Sequence, residues 1–396
     1  MKRMFALLAA ALVLASCASD KKQDPNAVPT ITNPYSLEGT TIPVGAIPAA
    51  TLHDSQRNKD IEMSIEYPTR GGPYPVIIFS PEFGGSRSSY VGLSAFWAGH
   101  GYVVIKPSHS DAGATRDAID RMREERRAQA AQQEQHRGRR GRNHQPNGQQ
   151  QPLTFRADPS TIWETAQSMQ DWNNRVADVR FIIDSLPQLI TQYPVIKDRL
   201  DQARVGVGGH AYGALTALMI AGAAGTTADP RVKAVEAMSP PGPLAARNLT
   251  RESFANVRVP ALFLTGSRDL GATESEDIAW RKQSFEGAPA GDKWFVSIQN
   301  ANRSSFTGNF ADFGYTPREE PVNPYPTNRP PVGGYYPQTQ PTSNPNRGVT
   351  LGFGGTGTVR TISLAFWDAY LKADNKPGRD YLNNLRGRGD LQVETK

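Results

Sequence analysis

The residues best placed to do chemistry are Gly209-His210-Ala211-Tyr212-Gly213. Their glycine spacing is that of the G-x-S-x-G turn, which lifts a serine from the end of a strand onto the start of a helix so that its hydroxyl can attack a carbonyl. Arg204 to Gly208 supplies an apolar strand ahead of the turn, and Ala214 to Ala224 a small-residue helix behind it. The central position is Ala211, and a methyl group is not a nucleophile. A serine at such a turn needs a base, and His109 and His210 are the candidates. Candidate hydroxyls are those of Ser110, Ser239, Ser304, Ser305 and Tyr212. His109-Ser110-Asp111 gathers the right residue types, but neighbours on an extended segment point opposite ways, so adjacency alone builds no relay.

The elements that must position these residues follow from hydrophobic patterning. Ile61, Met63 and Ile65 alternate with polar residues, as in a half-buried strand. Val76 to Phe79, Tyr102 to Ile105, Val232 to Ala237, Ala261 to Leu264 and Trp294 to Ile298 are short apolar runs suited to buried parallel strands. Helical spacing separates them, at Tyr90 to Gly99, from Val176 to Leu186, and from Val359 to Leu371. Strands alternating with helices imply an α/β fold, a mostly parallel sheet covered on both faces. Residues 114–155 and 307–350 interrupt the pattern and read as insertions on the loop side. The first begins as a charged helix candidate and leads through Arg137-Gly138-Arg139-Arg140-Gly141-Arg142 into a Gln-rich tract, the second is dense in Pro, Asn, Gly and Tyr, and neither shows a fixed repeat.

The chain opens with Met1-Lys2-Arg3, an apolar stretch from Phe5 to Val13, and Leu14-Ala15-Ser16-Cys17. This resembles a bacterial lipobox, which implies removal of residues 1–16 and acylation of Cys17, the single cysteine. No thiol then remains for a disulfide or a nucleophile. The expected arrangement is a signal peptide over 1–16, the acylated cysteine and a tether over 17–58, and one folded domain over 59–390. Ala18 and Ser19 carry no acidic retention signal, which favours the periplasmic face of the outer membrane. Lys2 and Arg3 leave with the signal, so the formal charge of +6 becomes +4. That is too mild to call for nucleic acid. Arg137, Arg139, Arg140 and Arg142 instead suit an anionic envelope surface. No Cys/His spacing points to zinc, no Gly-rich loop to a nucleotide, and no cofactor is expected.

Taken in order, several segments resemble the dienelactone-hydrolase and platelet-activating-factor-acetylhydrolase-like branch of the α/β-hydrolases. They are Tyr74-Pro-Val-Ile-Ile-Phe-Ser80, Phe83-Gly-Gly-Ser86, His100-Gly-Tyr-Val-Val104, Asp229-Pro-Arg-Val-Lys-Ala234, Ser239-Pro-Pro-Gly242, Val259-Pro-Ala-Leu-Phe-Leu-Thr-Gly266 and Ser363-Leu-Ala-Phe-Trp-Asp-Ala-Tyr-Leu371. The resemblance implies a carboxylic-ester hydrolase with a Ser nucleophile, a His base, an acid and an oxyanion site. It places the acid at Asp269, the histidine at Arg303 within Ala301-Asn302-Arg303-Ser304-Ser305-Phe306, and the nucleophile at Ala211. None of the six histidines follows the turn, and a guanidinium stays protonated, so Arg303 cannot act as a base. Where the family has His-Gly, this chain has Pro81-Glu82, which places a carboxylate where negative charge would develop. The N–H groups of Phe83 and Tyr212 remain the oxyanion candidates. Three outcomes follow. Arg303 clamped between Asp269 and Glu82 plugs the site; or Arg303 and the helix start at Tyr212 hold an acyl-bearing or anionic small molecule without cleaving it; or a displaced nucleophile hydrolyses acyl or acetyl-phospholipid esters.

Overall fold

The computed structural model describes residues 27–31, 34–36, 39, 41–113, 169–271, 276–307 and 355–396. Cys17, Arg137, Arg139, Arg140, Arg142 and the two insertions, apart from Thr307, lie outside them.

Among the described residues one mixed sheet has the order β1-β2-β4-β3-β5-β6-β7-β8-β9. Its strands are β1 (Val44–Asp54), β2 (Lys59–Pro68), β3 (Tyr74–Ser80), β4 (Val103–Pro107), β5 (Leu200–His210), β6 (Val232–Met238), β7 (Ala261–Gly266), β8 (Lys293–Ile298) and β9 (Leu391–Thr395). The strands from β4 to β8 in this order run parallel, while β1, β2 and β9 are antiparallel additions. The helices are α1 (Val91–Gly99), α2 (Met169–Asp184), α3 (Leu186–Gln192), α4 (Tyr212–Ile220), α5 (Ile278–Gly287), α6 (Thr356–Leu371) and α7 (Lys376–Asn384).

The alternation of side chains along each strand feeds two cores. Ile78, Val205, Val207 and Phe263 pack with α2 and α4 on one face, whereas Ile77, Phe79, Val104 and Leu264 pack with α1 and α6 on the other. Every expected strand is present. The helix behind the turn is shorter than its composition suggests, ending at Ile220, because Gly222 takes φ 108 and a 3₁₀ turn follows.

The folded body also starts earlier than the expected boundary at 59. β1 occupies Val44–Asp54, inside the segment assigned to the tether, and pairs with β2 so that His53 faces Asp60. Leu52 and Ala50 turn into the core while their neighbours face solvent. Pro48 sits at a register shift between Ile47 and Ala50, and that irregularity hides the alternation from a reading of the sequence. At the other end β9 extends past 390 as an edge strand on β8.

Candidate active site and its altered stations

β5 delivers the turn. Ala211 has φ 51 and ψ −107, a conformation L-residues adopt at a cost, and it caps α4 without a side-chain hydrogen bond. Its N–H donates to the Met238 carbonyl at 2.8 Å. The flanking glycines are required by close approach: a Cβ on Gly209 would sit 2.2 Å from the Gly213 carbonyl oxygen, and one on Gly213 would sit 2.0 Å from that of Ser80. The strained strand-to-helix turn expected from the glycine spacing is therefore present around a methyl group, and Ala211 is buried.

Asp269 follows β7 and is fully buried. Its Oδ2 accepts from Thr265 at 2.9 Å and its Oδ1 lies 3.2 Å from Nη2 of Arg281. Arg281, on α5, also donates to the carbonyls of Asp269, Ser239 and Pro240. Arg303 reaches only one of the two expected carboxylates. Its Nε and Nη2 donate to Oε2 of Glu82 at 3.2 and 3.1 Å, across a pair whose side chains are 39% and 31% exposed. The expected clamp between Asp269 and Glu82 is thus divided between two arginines, because Arg281 approaches the acid from inside the fold. Arg281 had no motif to advertise it; an arginine inside a helix reads as a solvated face until the topology turns that face inward.

Glu82 and Phe83 sit on the loop after β3. The Glu82 N–H donates to the Tyr90 hydroxyl at 3.3 Å, Gly84 N–H donates to Asp111 at 2.8 Å, and the Phe83 and Tyr212 rings meet edge to face at 5.9 Å. Tyr212 opens α4 and its ring carries the Arg175 guanidinium at 4.3 Å.

Two buried Ser–His pairs flank the turn. His210 lies between the Tyr90 hydroxyl (Nδ1, 2.8 Å) and Ser239 Oγ (Nε2, 3.1 Å). Burial, reinforced by Arg303 and Arg281, holds its pKa well below the usual imidazole value, so it is neutral. Ser239 takes φ 48 at the end of β6. On the other side of the sheet Ser80 Oγ is 2.9 Å from His109 Nε2, and His109 Nδ1 is 2.9 Å from Asp178 Oδ2. Asp178 also receives Lys59 and Arg57. Burial and then the Arg175 charge lower His109 to about 4, and hydrogen bonds from His109 and Lys59 hold Asp178 at about 2 despite burial.

Ser80, His109 and Asp178 thus have the connectivity of a catalytic relay, which the sequence hid by spreading it over β3, a loop and α2. Arg175 closes it. Its Nη1 is 3.3 Å from Ser80 Oγ and 2.7 Å from the Pro81 carbonyl, and its Nε and Nη2 pair with Asp111 at 3.0 and 2.6 Å. Ser80 is completely buried beneath this guanidinium. His109 and Asp111 turn to different partners, and Ser110 between them is exposed. Ser305 accepts from the Asn302 N–H at 3.1 Å, within the Arg303 turn. Among the described residues no cluster of three or more His, Cys, Asp or Glu is arranged to hold a metal ion.

Residues 49–237 match the family described as platelet-activating factor acetylhydrolase, isoform II. The match and the nine-stranded mixed sheet give the chain the α/β-hydrolase fold. The matched span contains Glu82, Phe83, Ala211 and Tyr212 and ends before Asp269 and Arg303. No match to the chain was found among curated proteins.

Proposed function

We propose that this chain is a pseudo-esterase: a lipid-anchored envelope protein that keeps the hydrolase scaffold for binding or scaffolding and has given up acyl transfer at the elbow. The observation that carries the reading is Ala211, held at φ 51 in the strained turn with no atom able to attack. The ion pairs support it. Arg281 neutralises the acid, and Arg303 holds the oxyanion loop through Glu82 where the reaction would need a base. The Arg303–Glu82 pair faces solvent enough to meet a small acyl-bearing or anionic molecule, which would exchange Glu82 for its own carboxylate or phosphate.

The test is turnover of short-chain nitrophenyl and acetyl-phospholipid esters by the native chain beside an Ala211→Ser/Arg303→His variant. A silent native chain and an active double variant are the expected pair. Native turnover above the ~10³–10⁴-fold acceleration left to hydrolases without a triad overturns the reading.

The Ser80–His109–Asp178 relay favours a second reading, a hydrolase with a displaced nucleophile. Its geometry is right, but attack by Ser80 requires Pro81 and Glu82 to lift off Arg175. Covalent labelling of Ser80 by a fluorophosphonate, lost in Ser80→Ala, would establish it. An unlabelled Ser80 leaves the relay as the brace of the oxyanion loop.

A further inference from the structure

The N-terminal segment fixes which way the molecule faces. Ala27 accepts from Arg70 Nη1 at 3.1 Å, just before β3 begins, and Val28 packs beside Gly71. Arg199, at the start of β5, donates to the Gly71 carbonyl. The chain then runs past Tyr35, whose hydroxyl donates to Asp368 at 3.0 Å and whose ring meets Tyr381 at 4.5 Å. Ile42 follows, donating to the Gly99 carbonyl at the end of α1. All of these partners lie where the parallel strands begin, at the end of the sheet opposite Ala211, Asp269 and Glu82.

That end has the composition of a surface made to rest on lipid headgroups. Val28 and Val195, 47% and 54% exposed, are two of the three large apolar side chains that stand out from the described surface. At the same end are Arg70, Lys197, Arg199, Lys233 and Arg258, with Lys197, Lys233 and Arg258 exposed. Asp198, Glu252 and Asp374 oppose them, whereas Asp184 and Asp229 pair with Arg231, Asp201 with Arg204 and Asp292 with Arg379. Basic side chains beside exposed apolar ones suit an anionic leaflet, which attracts the first and accommodates the second.

We infer that the strand-start end of the sheet docks on an anionic lipid surface and that the elbow face points away from it. This rests on the reading of Cys17 as the acylated residue. Tether length favours this pose over the inverted one. The ten residues from Cys17 to Ala27 span at most ~35 Å when fully extended. β3, whose seven residues pair with β5 from Leu200 to Gly209, makes the sheet ~23 Å tall. Placing the elbow on the membrane would hold about two thirds of the tether stretched along the flank of the body, a cost in chain entropy that the strand-start pose does not carry. A ligand or partner of the elbow face therefore arrives from the aqueous side, not from the bilayer on which the protein sits.

Val195 and Leu270 are equally exposed, at 54%, and lie at opposite ends of the sheet. The test replaces each in turn with p-benzoylphenylalanine in the chain from Cys17 onward, coupled through the Cys17 thiol to a maleimide lipid in phosphatidylcholine vesicles with or without phosphatidylglycerol. Irradiation is expected to give lipid adducts from position 195 and background from 270, with adducts rising when phosphatidylglycerol is present. A Lys197→Glu/Lys233→Glu/Arg258→Glu variant should lose that rise. Adducts from 270 equal to those from 195 overturn the orientation, and indifference to both phosphatidylglycerol and the triple variant overturns the basic surface. Because coupling is chemical, the outcome is separate from whether cells acylate Cys17, which radiolabelled palmitate incorporation reads directly.

Discussion

Glu236 gives the sharpest quantitative test of the fold. It lies in the middle of β6, fully buried, and accepts a 2.8 Å hydrogen bond from Ser363, which itself accepts from the Trp97 indole. Burial pushes its pKa from 4.5 up to about 8, only partly opposed by the hydrogen bond from Ser363. The folded protein therefore holds a proton that the unfolded chain has released across pH 4.5 to 8, so stability falls as pH rises through that window. At about 1.4 kcal/mol per pH step, wild type loses roughly 4 kcal/mol by pH 8 from this residue alone, a large share of the ~5–15 kcal/mol typical of a folded domain. Glu236→Gln keeps the shape and neutrality of the protonated acid and removes the titration. Urea unfolding of both proteins at closely spaced pH values should show nearly equal midpoints near pH 4 and a variant progressively more stable toward pH 8. Comparing the two chains cancels every other titration. A difference that stays flat with pH would mean that Glu236 is ionised inside the fold, and the reasoning from burial would fail.

The other predictions concern the altered site. Arg303→Ala should cost less than about 1 kcal/mol in urea unfolding, because its pair with Glu82 is part-exposed, whereas Arg281→Met should cost about 3–5 kcal/mol by leaving Asp269 buried and unpaired. Equal losses would refute the division of roles between the two arginines. Ala211→Gly should raise stability by about 1 kcal/mol, since glycine accepts φ 51 without strain; a loss would mean that the methyl group's packing outweighs the turn. His109 is neutral in the fold down to about pH 4 while its unfolded value is 6.5, so wild-type stability should drop relative to His109→Gln as pH falls between those values. Matched midpoints across that range would show that His109 takes up its proton in place.

The legible part of this protein was whatever local pattern encodes. Short apolar runs such as Val76 to Phe79 announced buried strands, and paired glycines announced the elbow, because both depend on neighbours within a few residues. The positions after β7 and β8 where the resemblance puts an acid and a histidine are occupied by Asp269, which is buried, and Arg303. β1 was missed because Pro48 and a shifted register break its alternation. Arg281 and the Ser80–His109–Asp178 chain of contacts escape a sequence reading for a different reason. Their partners come from segments far apart in sequence, and only the packing of α2 and α5 against the sheet brings them together.

The strand order has a consequence for how the chain is made. β3 pairs with β4 on one side and with β5 on the other, yet β5 is synthesised only after residues 108–199. During that interval the inner strand of the future sheet has a bare hydrogen-bonding edge, flat enough to capture any other unpaired strand. Arg175 and Asp178, which later lock the end of β3, are made in the same late stretch. A factor that covers β3 until Leu200 to His210 emerges should therefore raise the yield of folded chain in cells without changing the stability of the finished fold.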